Sequence, residues 1–145
     1  MEILKLMAMT IHVDIVSSEE KIFSGLAELV VAPATEGDVG ISARHAPLLT
    51  RLKAGEVRVI IDDNQTLPFF ISGGILEVQP HVVSVLADRA VRAKDIDEAA
   101  AIEARHRAEE TLNDRSGKLD YAKAQLELIE AVAQLRTLDR WRKNR

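Results

Sequence analysis

The side chains able to do chemistry are scattered along this chain, and their spacing fits none of the common catalytic arrangements. The four histidines, His12, His45, His81 and His106, share no metal-like spacing. His12 and His81 fall on strand faces or turns. There is no cysteine, so thiolate chemistry and disulfides are absent, which is compatible with a cytoplasmic setting. Ser72-Gly73-Gly74 lacks the spacing of a nucleophile elbow and the Gly-Lys-Ser/Thr ending of a phosphate loop. Paired glycines between two strand-like runs instead allow a bulge or a close backbone approach. Asp62-Asp63-Asn64 lacks the spacing of a calcium loop and reads as a solvated hairpin turn. Asp97-Glu98 and Glu109-Glu110 read as helix-surface charges. No catalytic, metal-binding or cofactor-binding residue is expected.

One charged cluster stands out. Arg136, Arg140, Arg142, Lys143 and Arg145 face a single acid, Asp139, within ten residues. Cations near a helix C-terminus complement its dipole, but five exceed what that needs. The cluster suits an acidic partner surface. Trp141, the only tryptophan, lies among these cations and can anchor such a contact.

The elements that must carry this cluster divide the chain at about residue 94. Six of the seven glycines and all four prolines lie before residue 81; the last fifty residues hold only Gly117. Gly and Pro punctuate turns, whereas the Ala, Glu, Leu and Arg of the second part favour helices. Ile11, Val13 and Ile15 alternate with polar residues as a half-buried strand. Further strands are expected at Ala27–Ala32, Glu56–Ile61, Leu67–Ser72, Ile75–Gln79 and Val82–Ala87, with shorter ones around Ile22 and Ile41. Many short strands separated by turn signals predict a β-sandwich or barrel. Aromatics make up only 3% of the chain, so its core must come from Val, Ile and Leu. The expected fold class is α+β: an N-terminal β-sandwich over 7–92, then an antiparallel two-helix hairpin over 93–145. Residues 1–6 read as an N-terminal extension, because Met7 and Met9 offer alternative starts.

Asp95 or Asp97 is expected to cap the first helix, which runs to about Leu112. Asn113 to Gly117 breaks it, and a second helix runs from Lys118–Asp120 to about Trp141. Helical spacing puts Ala101, Ala104, Ala108 and Leu112 on one face of the first helix. The second helix carries two apolar stripes: Leu119, Ala122, Leu126, Ile129 and Ala133, and, roughly opposite, Leu128, Val132, Leu135 and Leu138. One can pack on the first helix; the other needs the sandwich or a partner. The net charge of −4 and pI near 5.6 argue against a nucleic-acid surface. No apolar run approaches the roughly 18–20 residues that cross a bilayer.

Three stretches in order carry a family resemblance. Met7 to Ser17 precedes Phe23-Ser24-Gly25. Glu36-Gly37-Asp38-Val39-Gly40-Ile41 precedes His45-Ala46-Pro47-Leu48-Leu49-Thr50. Ser72 to Pro80 leads into Val85-Leu86-Ala87-Asp88. With the helical hairpin that follows, they resemble the epsilon subunit of bacterial F-type ATP synthase over residues 7 to about 138.

The resemblance implies a non-catalytic central-stalk subunit on the cytoplasmic face of the bacterial inner membrane, associated with the membrane only through its partners. The sandwich would bind the gamma subunit and rest on the ring of c subunits. Glu36, Asp38, His45, Pro47 and Leu48 match segments near that ring. The hairpin would have two states, folded on the sandwich or extended along gamma into the alpha and beta subunits of the catalytic head. The extended state would restrain ATP hydrolysis, with Arg136, Arg140, Trp141, Arg142 and Lys143 meeting the head. Some members bind ATP through Ile/Leu-Asp, two variable residues, then Arg-Ala. Here Ile96-Asp97-Glu98-Ala99-Ala100-Ala101 has Ala100 in place of the arginine, which implies weak or no ATP binding. The alternative reading is a soluble β-sandwich binding module with a helical dimerisation hairpin; a metal-dependent hydrolase stands third.

Overall fold

The computed structural model describes residues 9–114 and 118–144. The expected N-terminal extension, the Ser116-Gly117 turn signal and Arg145 lie outside the described residues. Ten strands come first: β1 Ile11–Val16, β2 Lys21–Ala27, β3 Leu29–Ala34, β4 Gly37–Ser42, β5 Leu48–Leu52, β6 Gly55–Asp62, β7 Gln65–Ile71, β8 Gly74–Val78, β9 Val82–Ala87 and β10 Ala90–Arg92. A single 3-10 turn, Ala93–Asp95, leads to two helices, α1 Glu98–Asp114 and α2 Lys118–Lys143.

The strands pair in the order β10-β7-β6-β3-β5-β8-β9-β1-β2, with β4 on β3. Every pairing is antiparallel except β1 with β9. The path folds over on itself as a sandwich. The Arg92 guanidinium donates 2.7 Å to the Ile22 carbonyl, tying the strand end before the helices to β2. Inward side chains alternate along each strand: Ile11, Val13 and Ile15 on β1, Val57 and Val59 on β6, Leu76 and Val78 on β8, Val83 and Val85 on β9. Each such burial contributes about 1.5–3 kcal/mol. Phe69 and Phe23 are in aromatic contact, 5.7 Å between ring centres.

Two expectations about the strands change. The predicted strand Ala27–Ala32 straddles a reversal: β2 ends at Ala27, β3 starts at Leu29, and the Glu28 amide between them bonds the Ile60 carbonyl. Strand β5, which starts directly after Pro47, and the three-residue β10, Ala90–Arg92, were not among the expected strands. The glycine pair is a close approach. Gly73 and Gly74 have φ of +133° and +148°, and a Cβ on Gly74 would run into the backbone of Leu86 and Ala87. Only glycine lets β8 lie this close to β9.

The helices start where a cap allows. The Ala100 amide donates 3.0 Å to Asp97 Oδ1, satisfying one of the free amides of the first turn of α1. The face expected on α1 is the one it buries: Ala101 and Ala108 are buried, Ala104 and Leu112 half-buried. On α2 the buried residues are Ala124, Ala131, Thr137 and Leu138, with Leu128, Val132 and Leu135 half-buried. Alanines on both helices let the backbones approach closely. Arg142 near the end of α2 pairs with Glu98 at the start of α1, which fixes the hairpin as antiparallel.

Candidate functional site

Three surfaces hold the residues of interest. The first follows β4. Glu36 is exposed in the β3–β4 turn and Asp38 is exposed on β4. His45, Pro47 and Leu48 come at the other end, in and just after the β4–β5 connection. The structure therefore does not gather the five into one cluster. Asp38, Gly40 and Ser42 form the exposed face of the strand between the two ends. The distal end is built by local backbone bonds. Arg44 takes a left-handed φ of 64°, and its amide donates 3.1 Å to the Pro80 carbonyl. His45 Nδ1 lies 2.7 Å from the Ala46 carbonyl. Leu48 then enters β5 opposite Val78, beside Leu49, which is 70% exposed.

The second surface is the outer face of β5-β8-β9-β1-β2. In register across it, Arg51 faces Ile75, Ile75 faces Leu86, and Leu86 faces Val16. Ile75 and Leu86 are exposed, as is Leu26 opposite His12. Beside this apolar row lies a polar one. His12 Nε2 is 3.2 Å from Asp14 Oδ1 and 3.1 Å from Ser24 Oγ. The Ser24 hydroxyl lowers the Asp14 carboxyl most; burial, next in size, raises it, and His12 and Lys21 lower it again, so that it lies below its ordinary range.

The third surface lies under α2, which packs on β6, β7 and the 3-10 turn. Phe69 and Ile71 point into the sandwich core, so Phe70 between them points out. Phe70 is nonetheless fully buried, with the Arg89 guanidinium 5.8 Å from its ring centre. Glu56 sits directly across from Phe70 in the β6–β7 register and shares its outward face. Arg140 of α2 donates through Nε to Glu56 Oε1 at 2.7 Å, and Arg58 Nε lies 3.7 Å from the same oxygen. Glu56 Oε2 is buried with no hydrogen-bond partner. Burial is the largest influence on this carboxyl and raises its pKa, partly offset by Arg140 and Arg58, with Asp38 adding to the rise. Arg89 and Glu130 add a second link between sandwich and α2 at 3.4 Å. A cavity of about 600 Å³ lies beside these pairs, lined by Asp38, Lys53, Glu56, Leu128, Val132 and Arg136 among others.

The tail cations are thus largely spent within the molecule. Arg140 holds Glu56. Arg142 makes two bonds to Glu98, at 3.0 and 2.5 Å, which pull the Glu98 carboxyl below its ordinary value. Lys143 pairs with Asp139 at 3.1 Å. Arg136 is exposed at the cavity rim, and Trp141 is half-buried. The stripe roles also differ from a simple division. Of the first stripe, Ala122, Leu126 and Ile129 are exposed, and the side chain of Leu119 lies outside the described residues. The second stripe turns inward, joined by Ala124 and Ala131. Glu56 and Phe70 escaped the sequence reading. A signal for Phe70 existed: Pro68-Phe69-Phe70-Ile71 is a continuous apolar run, the pattern of a strand covered on both faces.

In the first turn of α1 around Ala100, Glu98 is paired with Arg142. Asp97 is engaged as a cap, Arg105 lies 3.9 Å from Glu109, and Arg107 bonds Glu103 at 3.2 Å. Among the described residues no group of three or more His, Asp or Glu could hold a metal ion, and no helix is long and apolar enough to cross a membrane.

Comparison with known proteins places this architecture. Residues 10–93 match the family model "ATP synthase, Delta/Epsilon chain, beta-sandwich domain", and residues 94–139 match "ATP synthase, Delta/Epsilon chain, long alpha-helix domain". The chain is 66% identical over 139 residues to the ATP synthase epsilon chain 1 of Methylococcus capsulatus, covering 96% of this chain and 99% of that one. It is 64% identical to the ATP synthase epsilon chain of Nitrosococcus oceani, covering 94% and 98%. Among solved structures, a chain of the Euglena gracilis mitochondrial ATP synthase shares the fold, with a TM-score of 0.79 at 20% identity over 90% of this chain and 82% of that one. A chain of the Tetrahymena thermophila mitochondrial ATP synthase central stalk and c-ring gives 0.57 at 11% identity, covering 88% and 96%. The chain belongs to the ATP synthase delta/epsilon chain family, among the non-catalytic epsilon subunits of the F-type enzyme.

Proposed function

We propose that the protein is a rotary coupling subunit whose sandwich joins the gamma subunit to the c-ring and whose helical arm restrains ATP hydrolysis by the catalytic head. It works at the cytoplasmic face of the bacterial inner membrane, as a peripheral subunit held there by its partners. The exposed apolar side chains Ile75 and Leu86, with Leu26 elsewhere on the same sheet face, are offered to gamma. The exposed edge from Glu36 and Asp38 to His45, Pro47 and Leu48 faces the c-ring. Arg136, Arg140, Trp141, Arg142 and Lys143 meet the alpha and beta subunits when the arm extends.

The observation that carries this reading is how the arm is held. Phe70 apart, its contacts with the sandwich include two exchangeable ion pairs, Arg140 with Glu56 and Arg89 with Glu130. A partner offering acidic groups to the same arginine competes with Glu56 directly. Docking and extension then differ by interactions of similar kind, as a two-state element requires. The test is the assembled enzyme with the chain ended after Lys94. ATP hydrolysis is expected to rise several-fold while gamma remains bound. Hydrolysis restrained equally without the arm would refute the inhibitory role.

A further inference from the structure

We propose that Glu56 makes docking of the helical arm proton-dependent, so that the arm closes more firmly over a neutral carboxyl than over a carboxylate. The inference rests on the two-state arm proposed above and concerns what sets its balance.

The geometry is that of a carboxyl group covered by a movable lid. The Glu56 side chain is 13% exposed, although it sits on the outward face of β6. What faces that surface is α2. With the arm lifted, both carboxyl oxygens reach water. With the arm docked, Oε1 receives Arg140 while Oε2 is enclosed with no donor. A buried carboxylate oxygen without a partner carries an uncompensated desolvation cost, whereas a protonated carboxyl does not need the same solvation.

The charges around Glu56 come from every neighbouring element. Arg58 is on β6 itself, Arg140 and Arg136 are on α2, Lys53 is in the β5–β6 turn, and Asp38 is on β4. On β7 the residue opposite is the apolar Phe70. Arg140 and Arg58 favour the carboxylate; burial and Asp38 oppose it, and burial is the largest influence, so the docked pKa lies above the ordinary value of 4.5. The sign follows from linkage. A group whose pKa is higher in the docked state takes up a proton on docking. Docking is therefore strongest in acid and weakens as pH rises through the raised value. Arg140 is the counterweight: it offsets part of the cost at neutral pH. This is the behaviour of a buried pair whose loss of one partner costs more than replacement of both.

The test uses the full chain, which has no native cysteine. Dyes on Asp63→Cys and Asn144→Cys report docking by energy transfer between pH 4.5 and 8, and carbon NMR follows the Glu56 carboxyl. In the otherwise unaltered chain, energy transfer falls as pH rises. The docking equilibrium changes by up to about tenfold for each pH unit separating the docked and lifted pKa values. Glu56→Gln stays docked at pH 7.5 and loses the dependence. Arg140→Gln lifts the arm at pH 7.5 and moves the titration upward. The proposal is overturned if the pH dependence survives in Glu56→Gln, if Glu56→Gln itself lifts the arm at pH 7.5, or if Glu56 titrates at or below 4.5. An arm docked at every pH over a Glu56 that titrates high supports the proton linkage and counts instead against the lifting arm.

Discussion

Phe70 and Glu56 lie side by side under the arm, and they pull in different directions. Phe70 gives the arm its apolar anchor on the sandwich surface. Its replacement by Ala should weaken docking by about 3–5 kcal/mol, the usual cost of a buried Phe→Ala change. Because Phe70 points away from the sandwich core, hydrogen exchange should speed up in α2 and leave β1, β8 and β9 protected. Loss of protection throughout would make Phe70 a core residue of the sandwich. Glu98 contrasts with Glu56. Its carboxyl is lowered by Arg142, so the stability it lends the hairpin is present above its ordinary value of 4.5 and lost as pH falls through the lowered one. Arg142→Ala should remove that acid-side loss of helicity, measured by circular dichroism between pH 5 and 3; an unchanged acid profile would mean the pair adds nothing. Asp38 sits on an exposed strand face, so Asp38→Arg should leave the melting temperature nearly unchanged and reduce proton pumping in the assembled enzyme. A large stability loss with normal coupling would make it a structural residue of β4 instead. At this scale the sequence disclosed the local relations. Asp97 as a cap and the alanine face of α1 depend on neighbours three to seven residues apart. Glu56 was illegible because its partner Arg140 lies 84 residues away.

At the scale of elements, the change from strands to helices was plain because it rests on turn residues and period, both local. Strand β5 was hidden because it is only five residues long, Leu48–Leu52, and starts directly after Pro47. The true α2 seam was hidden because Ala124 and Ala131 look unremarkable beside the leucine stripes. Two consequences concern elements. A chain ended after Lys94 keeps every strand and the inward core, so it should fold and bind gamma. It uncovers Phe70, however, and should be less soluble than the full chain. Loss of gamma binding on that truncation would contradict the division of labour. The first turn of α1 should bind ATP weakly or not at all, since Ala100 offers a methyl group where a guanidinium would make charge-assisted bonds to phosphate. Micromolar binding by calorimetry would defeat this, with Arg105 and Arg107 the first residues to examine.

At the scale of the molecule, the arm's docking mixes an apolar anchor, two cross-links to the sandwich and a carboxyl that resists burial. Strength and reversibility therefore come from different residues. Tail truncation is a blunt probe of this balance, because residues 136–145 include the buried Thr137 and Leu138 as well as the cations. The parallel pairing of β1 with β9 has a further consequence, for how the chain is made. The first strand emerges from the ribosome early and can pair at once with β2. Its other edge waits for residues 82–87, the ninth strand of ten. Until then one edge of β1 is open, and an open strand edge invites pairing with other chains. The sandwich cannot close during synthesis until nearly its whole length has left the exit tunnel. Closure across such a sequence separation places folding in the slow, milliseconds-to-seconds range of all-β domains, and it makes the nascent sandwich, before the arm exists to cover Phe70, the stage at which this subunit is most exposed to aggregation.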